Sequence, residues 1–306
     1  MRISALPEEE YLLPGNAACH GCASSMCLRT VLKALGKKTV LVVPASCTSV
    51  YQGMFPNSAI AVPVFNTAFA SAAATASGIK ASLLQQGIDA NVVVWAGDGG
   101  TYDIGLQALS GAAERNEDII YICYNNEMYS NTGIQRSGAT PYGAWTTTTW
   151  SGKKEHRKDV AELLISHEVP YVATASAGYL SDLYQKVKKA KKMEGFRYIE
   201  ILSPCPPGWR YPMEKTVEIG RLAVETGMWI LYEYEEGHFR LTGVSRAIAE
   251  GRRRMKDIGE YLFAQGRFAH LSDGDVVKIR EYVEERWRKL VKMEGDMHAA
   301  SAKFYV

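Results

Sequence analysis

Short continuous apolar runs recur along this chain, each stopped by a polar or turn-forming residue. Thr39–Ala45, Val92–Ala96 and Ile119–Tyr124 lack the polar alternation of a half-exposed strand, and each predicts a strand covered on both faces, the habit of a parallel sheet. Tyr171–Ala175 and Arg197–Leu202 read as two further strands. Segments with helical period lie between them. Ser24–Leu35 carries apolar residues at Met26, Leu28, Val31, Leu32 and Leu35, and Asn66–Gly78, Ile104–Arg115, Val160–His167 and Leu180–Lys192 read as further helices. The alternation predicts a doubly wound α/β domain. Residues 1–15 read as an extended leading arm. After Arg240 the composition shifts, and Val244–Phe263 and Asp275–Met293 read as charged amphipathic helices, the second capped by Ser272 or Asp273. The expected organisation is an α/β domain over 1–235 and a helical C-terminal extension over 236–306. The polar stretch 131–157, with its threonines 146–149, is long for a connection and reads as functional or partner-facing.

Composition narrows the function classes. The formal charge of +2, with 47% hydrophobic and 22% charged residues, gives no basic excess for nucleic acid. No run of apolar residues is long enough to span a membrane. The first fourteen residues carry three glutamates and no apolar segment, so the expectation is a cytoplasmic protein. Six cysteines in such a setting point to metal or redox use before disulfides.

The chemistry gathers at strand ends. Val92–Ala96 stops at Gly97-Asp98-Gly99-Gly100, and the next buried run stops at Asn125-Asn126. Glycines that admit a ligand to the backbone, with Asp98 and Asn126 as hard oxygen donors, suit a Mg²⁺-diphosphate site. The backbone carbonyl of Met128 is a plausible third protein ligand, and the following helix aims its positive end at the phosphates. A nicotinamide dinucleotide fits less well, since the third glycine of its fingerprint is missing. Cys19 and Cys22 form a C-x-x-C, and Cys47 and Cys205 each close a strand. Four thiolates suit zinc or an iron–sulfur cluster. One knuckle plus two single cysteines favours the cluster, whereas Cys27 and Cys123 read as core residues.

With these residues in hand, the chain resembles the β subunit of a 2-oxoacid:ferredoxin oxidoreductase of the pyruvate synthase type. Gly97-Asp98-Gly99 followed by Asn126 is similar to that family's thiamine diphosphate signature. The stretches Asn126–Ser137 and Ala139–Ala144, and the cysteines in Cys19-His-Gly-Cys22, Cys47 and Ser203-Pro-Cys205-Pro-Pro-Gly-Trp209, are similar too. The likeness runs from about Pro14 to Tyr211. It implies thiamine diphosphate held through Mg²⁺ by Asp98, Asn126 and Met128, and a [4Fe–4S] cluster on Cys19, Cys22, Cys47 and Cys205. It places Asn131 and Thr132 near the thiazolium and the substrate. The implied reaction is oxidative decarboxylation of a 2-oxoacid, pyruvate by preference with branched-chain, aromatic or oxalate-like acids as alternatives, to acyl-CoA and CO₂, with electrons passing through the cluster to ferredoxin. Activation of the cofactor needs a glutamate, and the sequence shows no second α/β domain to supply it. Other subunits are therefore expected to provide that glutamate and further clusters. His20, and the absence of a glutamate over 66–71, depart from the family pattern.

Several features read as ordinary surface or core. Arg252-Arg253-Arg254 suggests a solvated helix face before a dock for ferredoxin. Lys153 and Lys154 suggest surface solvation before attraction of coenzyme A. Trp209 covers the cluster or packs a loop, and His156 and His167 receive no role. Two other readings of the same residues are a zinc-stabilised nucleotide-binding scaffold and a non-redox thiamine decarboxylase.

Overall fold

The computed structural model describes residues 6–301, with side chains through 295. The first residues of the expected leading arm and the end of the C-terminal extension lie outside the described residues. Eight strands form one sheet: β1 (Thr39–Pro44), β2 (Val64–Thr67), β3 (Asn91–Gly97), β4 (Ile120–Asn125), β5 (Tyr171–Ser176), β6 (Arg197–Leu202), β7 (Tyr232–Glu235) and β8 (His238–Leu241). Their spatial order is β2-β1-β3-β4-β6-β5-β7-β8. The first six are mutually parallel, and the β7–β8 hairpin adds antiparallel to β5.

The apolar runs are continuous because both faces of the sheet are covered. Val92, Val94, Ala96, Tyr121 and Tyr198 enter one core with Ala76 and Leu109 of helices α3 (Ala72–Gln85) and α4 (Leu106–Glu114). Val93, Trp95, Ile122, Tyr124 and Ile199 enter the other with Leu28, Leu32 and Val187. Those three come from the helices that in the chain precede β1 and follow β5. Strand geometry sends successive side chains to opposite faces, so each face takes every second residue. Cys123 lies in the first core and Cys27 in the second, as expected of core cysteines.

The sequence reading departs from the structure in several places. The helix expected over Asn66–Gly78 begins at Ala72, because Asn66 and Thr67 pair with Val43 and Pro44 as strand β2. Cys47 does not close β1. It opens a short helix, Cys47–Tyr51, capped by Ser46. The extension is not wholly helical, since the expected boundary at 235/236 falls in the turn between β7 and β8. The helix expected over Val244–Phe263 is broken into Gly243–Ala249 and Ile258–Leu262. Arg252-Arg253-Arg254 lies in the intervening turn and not on a helix face. There Arg253 pairs with Glu225. The final helix, Asp273–Ser301, buries Val283, Trp287 and Leu290, and the Trp287 indole donates to the Gly227 carbonyl at 3.1 Å.

The turn after β3 is unusually wide. Gly99–Asp103 forms a single π-helical turn before α4, a form common at functional sites. It closes on Gly105, where an added Cβ would lie 2.0 Å from the Gly100 carbonyl oxygen. Backbone on both sides leaves no room to yield. Gly105→Ala is therefore expected to lower the melting temperature, by several degrees for a loss of about 1–3 kcal/mol. An unchanged melting curve would show that the turn relaxes freely.

Candidate active site

Order in the sheet changes direction between β1 and β3, since the chain leaves β1 for β2 on one side and returns to β3 on the other. Ligands of open α/β sheets bind beyond the strand ends at such a switch. A cavity of about 150 Å³ lies there, lined among others by Cys47, Asp98, Gly99, Gly100, Asn126 and Met128, with Asn131 and Thr132 at its rim. The structure thus brings together the expected diphosphate residues. Thr132 turns its hydroxyl to Gln135, 2.6 Å away.

Asp98 is 1% exposed and receives no basic side chain. Its partners are the Ser137 hydroxyl at 2.5 Å and the Asn126 N–H at 3.2 Å. Burial pushes its carboxyl up to about 8, and the hydrogen bonds from Ser137 and Asn126 only partly oppose this. The terminal atom of the Asn126 side chain that faces Asp98 lies 3.1 Å from Asp98 Oδ1, 2.7 Å from the Met128 carbonyl oxygen and 2.9 Å from Ser130 Oγ. An amide nitrogen there donates to all three. An amide oxygen there completes a cluster of three oxygens, the donor set of a hard divalent cation. The residues present therefore fit Mg²⁺, with Ser130 donating to the Asn126 oxygen at 2.9 Å.

The glycines act through the room they leave. None of Gly97, Gly99 and Gly100 is among the residues with positive φ, so left-handed backbone is not what requires glycine here. A Cβ on Gly99 would lie 2.4 Å from the Tyr129 ring, and one on Gly100 3.1 Å from the Phe69 ring. The two rings meet edge to face across 6.0 Å and wall the cavity. Tyr129 is anchored by its hydroxyl to Asp103 at 2.9 Å, and Lys158 pairs with the other oxygen of that carboxylate at 2.8 Å.

A second cavity, of about 320 Å³, adjoins the first. Cys19, Cys22, Cys47 and Cys205 all line it, and it shares Cys47, Asn126, Ser130 and Asn131 with the diphosphate cavity. Three loops carry these thiols, and each is fixed by different chemistry. Gly21 between the first two has φ +71°, and a Cβ there would lie 2.3 Å from the Met213 carbonyl oxygen, so only glycine fits the turn. Cys47 is set by a buried hydroxyl chain in which Trp95 donates to Thr48 at 3.1 Å, Thr48 to Tyr51 at 3.0 Å, and Tyr51 meets Ser24 at 3.1 Å. Cys205 precedes a single helical turn, Pro206–Trp209. Burial and the other thiols push Cys47 up to about 12, and burial pushes Cys205 up to about 11. Thiols held this high become thiolates together only against compensating positive charge, which metal supplies.

Behind both cavities lies a polar core that sequence reasoning missed. Trp209 is fully buried and donates to the Asn126 carbonyl at 2.7 Å, so it packs a loop rather than lining the cysteine cavity. Arg267, itself fully buried, stacks on Trp209 at 3.6 Å and pairs with Glu127 at 2.7 Å. Asn125 faces away from its neighbour Asn126, donating to Glu200 at 2.7 Å. Lys153 is not on the surface. It is 2% exposed and donates to the Thr140 carbonyl at 2.7 Å, while burial lowers it to about 8. No local pattern announces these residues, because their partners are distant in sequence.

Comparison with known proteins agrees with this geometry. The family described as thiamine pyrophosphate enzyme, C-terminal TPP binding domain, matches residues 45–201. Ketoisovalerate oxidoreductase subunit VorB of Pyrococcus furiosus is 46% identical over 299 residues, covering 94% of each chain. Pyruvate synthase subunit PorB of Methanothermobacter thermautotrophicus is 50% identical over 291 residues, covering 93% of this chain and 99% of its own. A solved 2-oxoglutarate:ferredoxin oxidoreductase from Magnetococcus marinus shares the fold with a TM-score of 0.56 at 22% identity, over 70% of this chain and 83% of that one. Fold and site define a thiamine diphosphate-binding domain. The chain belongs to the β subunits of the 2-oxoacid:ferredoxin oxidoreductases, and is thus a subunit of a multi-subunit oxidoreductase. Among the described residues no helix is long and apolar enough to cross a membrane.

Two outcomes follow for this site. Asp98 titrates higher in the fold than its ordinary value of 3.8, so its contribution to stability is complete below that value and is lost as pH rises through about 8. A cation favours the ionised form. The thermal stabilisation given by Mg²⁺ with thiamine diphosphate should be larger on the alkaline side of about pH 8 than on the acid side. Equal shifts on both sides would contradict the assignment of Asp98. Arg267→Ala leaves Glu127 buried without its 2.7 Å partner. It should cost about 3–5 kcal/mol in chemical denaturation.

Proposed function

We propose that this subunit carries the reaction centre for oxidative decarboxylation of a 2-oxoacid, with pyruvate the favoured substrate. In this reading Asp98, Asn126 and the Met128 carbonyl hold Mg²⁺ against the diphosphate, and Cys19, Cys22, Cys47 and Cys205 hold a [4Fe–4S] cluster. The products are acyl-CoA and CO₂, and the electrons leave for ferredoxin. The observation that carries the proposal is the contact between two cavities of different chemistry. One offers hard oxygens and the other four thiols, and four residues line both.

When bound, thiamine diphosphate supplies the electron sink for decarboxylation, and the cluster a one-electron acceptor. The chain's own residues place the two side by side. Asp98 and Asn126 fix the diphosphate end. Asn131, which lines both cavities, faces the junction where substrate carbon and acceptor meet. Thr132 borders the same space. One C-x-x-C knuckle with two single cysteines supports a cluster over structural zinc, and the four thiols line one space of about 320 Å³.

The activating glutamate is assigned to another subunit. Among the described residues, none of those lining the diphosphate cavity is a glutamate. Glu127, the nearest in sequence, is tied to Arg267. Further clusters on the route to ferredoxin are assigned to other subunits as well. A branched 2-oxoacid is the second reading of the substrate, favoured by the 46% identity to a ketoisovalerate oxidoreductase subunit.

The test is a panel of 2-oxoacids with coenzyme A and a viologen acceptor, run on the complex purified without oxygen. Pyruvate should give the highest kcat/KM. A higher value for 2-oxoisovalerate would establish the second reading, and no reduction with any 2-oxoacid would overturn the proposal. Asp98→Asn should weaken thiamine diphosphate binding on the order of 10–100-fold, measured by titration of tryptophan fluorescence. Cys22→Ala should remove iron while leaving that binding intact.

A further inference from the structure

Ser137 stands behind the diphosphate cavity, whose lining includes Asp98 and not Ser137. It is 2% exposed, and its hydroxyl lies 2.5 Å from Asp98 Oδ2. Its neighbours fix the direction of that hydrogen bond. Ser137 Oγ accepts the Ala139 N–H at 3.2 Å. Thr140 Oγ1, 3.4 Å away, gives its own proton to the Glu127 carbonyl at 2.6 Å and accepts the Ser137 N–H at 3.0 Å. The serine proton therefore points to Asp98. The next residue clips the far end of the same turn. The Gly138 N–H donates to Asp103 Oδ2 at 2.9 Å, and a Cβ on Gly138 would lie 2.5 Å from the other oxygen of that carboxylate. Lys158 adds bonds to Asp103 Oδ1 at 2.8 Å and to the Tyr102 carbonyl at 2.7 Å, and its N–H holds the Gly138 carbonyl at 3.0 Å. Residues 137 and 138 thus grip both ends of the π-helical turn, from Asp98 before it to Asp103 at its close.

The two oxygens of Asp98 are consequently unequal. Oδ2 is taken by Ser137. Oδ1 accepts the Asn126 N–H at 3.2 Å and faces the end of the Asn126 side-chain amide, itself 2.7 Å from the Met128 carbonyl oxygen. We propose that Ser137 is a positioning residue that withholds Oδ2 from the cation and so makes the site select Mg²⁺ over Ca²⁺. The inference rests on the reading of Asp98, Asn126 and Met128 as the cation ligands. A carboxylate with both oxygens free takes Ca²⁺ through the pair, and Ca²⁺ accepts about six to eight oxygens in flexible geometry. Mg²⁺ demands near-ideal octahedral geometry, which a single carboxylate oxygen suits and a chelating pair does not. Part of the long 131–157 segment thereby acts on the site without lining it. It fixes the aim of the carboxylate that does.

The experiment follows thiamine diphosphate binding to the complex purified without oxygen, by tryptophan fluorescence, as Mg²⁺ or Ca²⁺ is titrated. Wild type, Ser137→Ala and Ser137→Thr, which keeps the hydroxyl, are compared. In S137A half-saturation should need on the order of 10–100-fold more Mg²⁺. The requirement for Ca²⁺ should change little or fall, so that the preference for Mg²⁺ is lost. S137T should restore it. An equal loss for both cations in S137A would make Ser137 a structural prop and overturn the selectivity, and an unchanged preference would overturn it too. Should S137A not fold, Ser137→Cys, which keeps the side chain with a weaker donor, is read in its place for the same shift. Wild-type binding that needs no divalent cation would instead overturn the assignment of Asp98 beneath the proposal.

Discussion

A carboxylate buried at the end of a strand with no basic side chain beside it sets the terms for the rest of this structure. Asp98 is 1% exposed, and its partners among the described residues are the Ser137 hydroxyl, the Asn126 N–H and the Asn126 side chain, none of them basic. Burial of an unpaired charge is costly, and the carboxyl responds by holding its proton. The cost persists in the fold because the site is completed by something the chain does not contain. Everything around Asp98 preserves the opening: Tyr129 and Phe69 stand where side chains on Gly99 and Gly100 would otherwise be. The polar core behind it keeps Asn126 from following Asn125 into the sheet.

The two cavities are not independent sites that happen to touch. The 126–130 segment and the Cys205 turn share a hydrogen bond from Trp209 and a sulfur-to-glycine contact at Met128, and Ser130 lines both cavities. Arg267 lies against Trp209 on one side and Glu127 on the other. Such a frame fixes relative placement more tightly than either loop could alone. The antiparallel β7–β8 hairpin and the final helix stand apart from this chemistry and close one edge of the sheet.

Much of this was legible in the sequence for one physical reason. A strand buried on both faces is an unbroken apolar run, so the residue that ends it stands out. Asp98, Asn126 and Cys205 were visible in that way, and Cys47 nearly so, displaced only by the capping Ser46. Elements that lack such a run were missed. Val64–Thr67 is short and half-exposed, and it merged with the small residues of the next helix. Tyr232–Glu235 and His238–Leu241 alternate apolar and polar residues as half-exposed strands do, but each is only four residues long and no continuous apolar run marks it. Glu127, Arg267, Glu200 and Lys153 look like surface residues because charge is a local property of the sequence, whereas the partners that permit burial are distant. Glu127 and Arg267 are 140 positions apart.

That separation has a consequence for how the molecule comes into being. The parallel strands from β1 to β6 and their helices are complete by Leu202. The loop that carries Asn126 to Ser130 is complete much earlier than the residue that locks it. Trp145 donates its backbone N–H to Arg267, and Arg210 accepts from Gly266, so the same late segment closes the loop and the Cys205 turn together. Closing so long a loop is slow relative to local structure. A chain emerging from the ribosome therefore has every strand of its parallel sheet in hand well before the residue that locks the loop and the Cys205 turn.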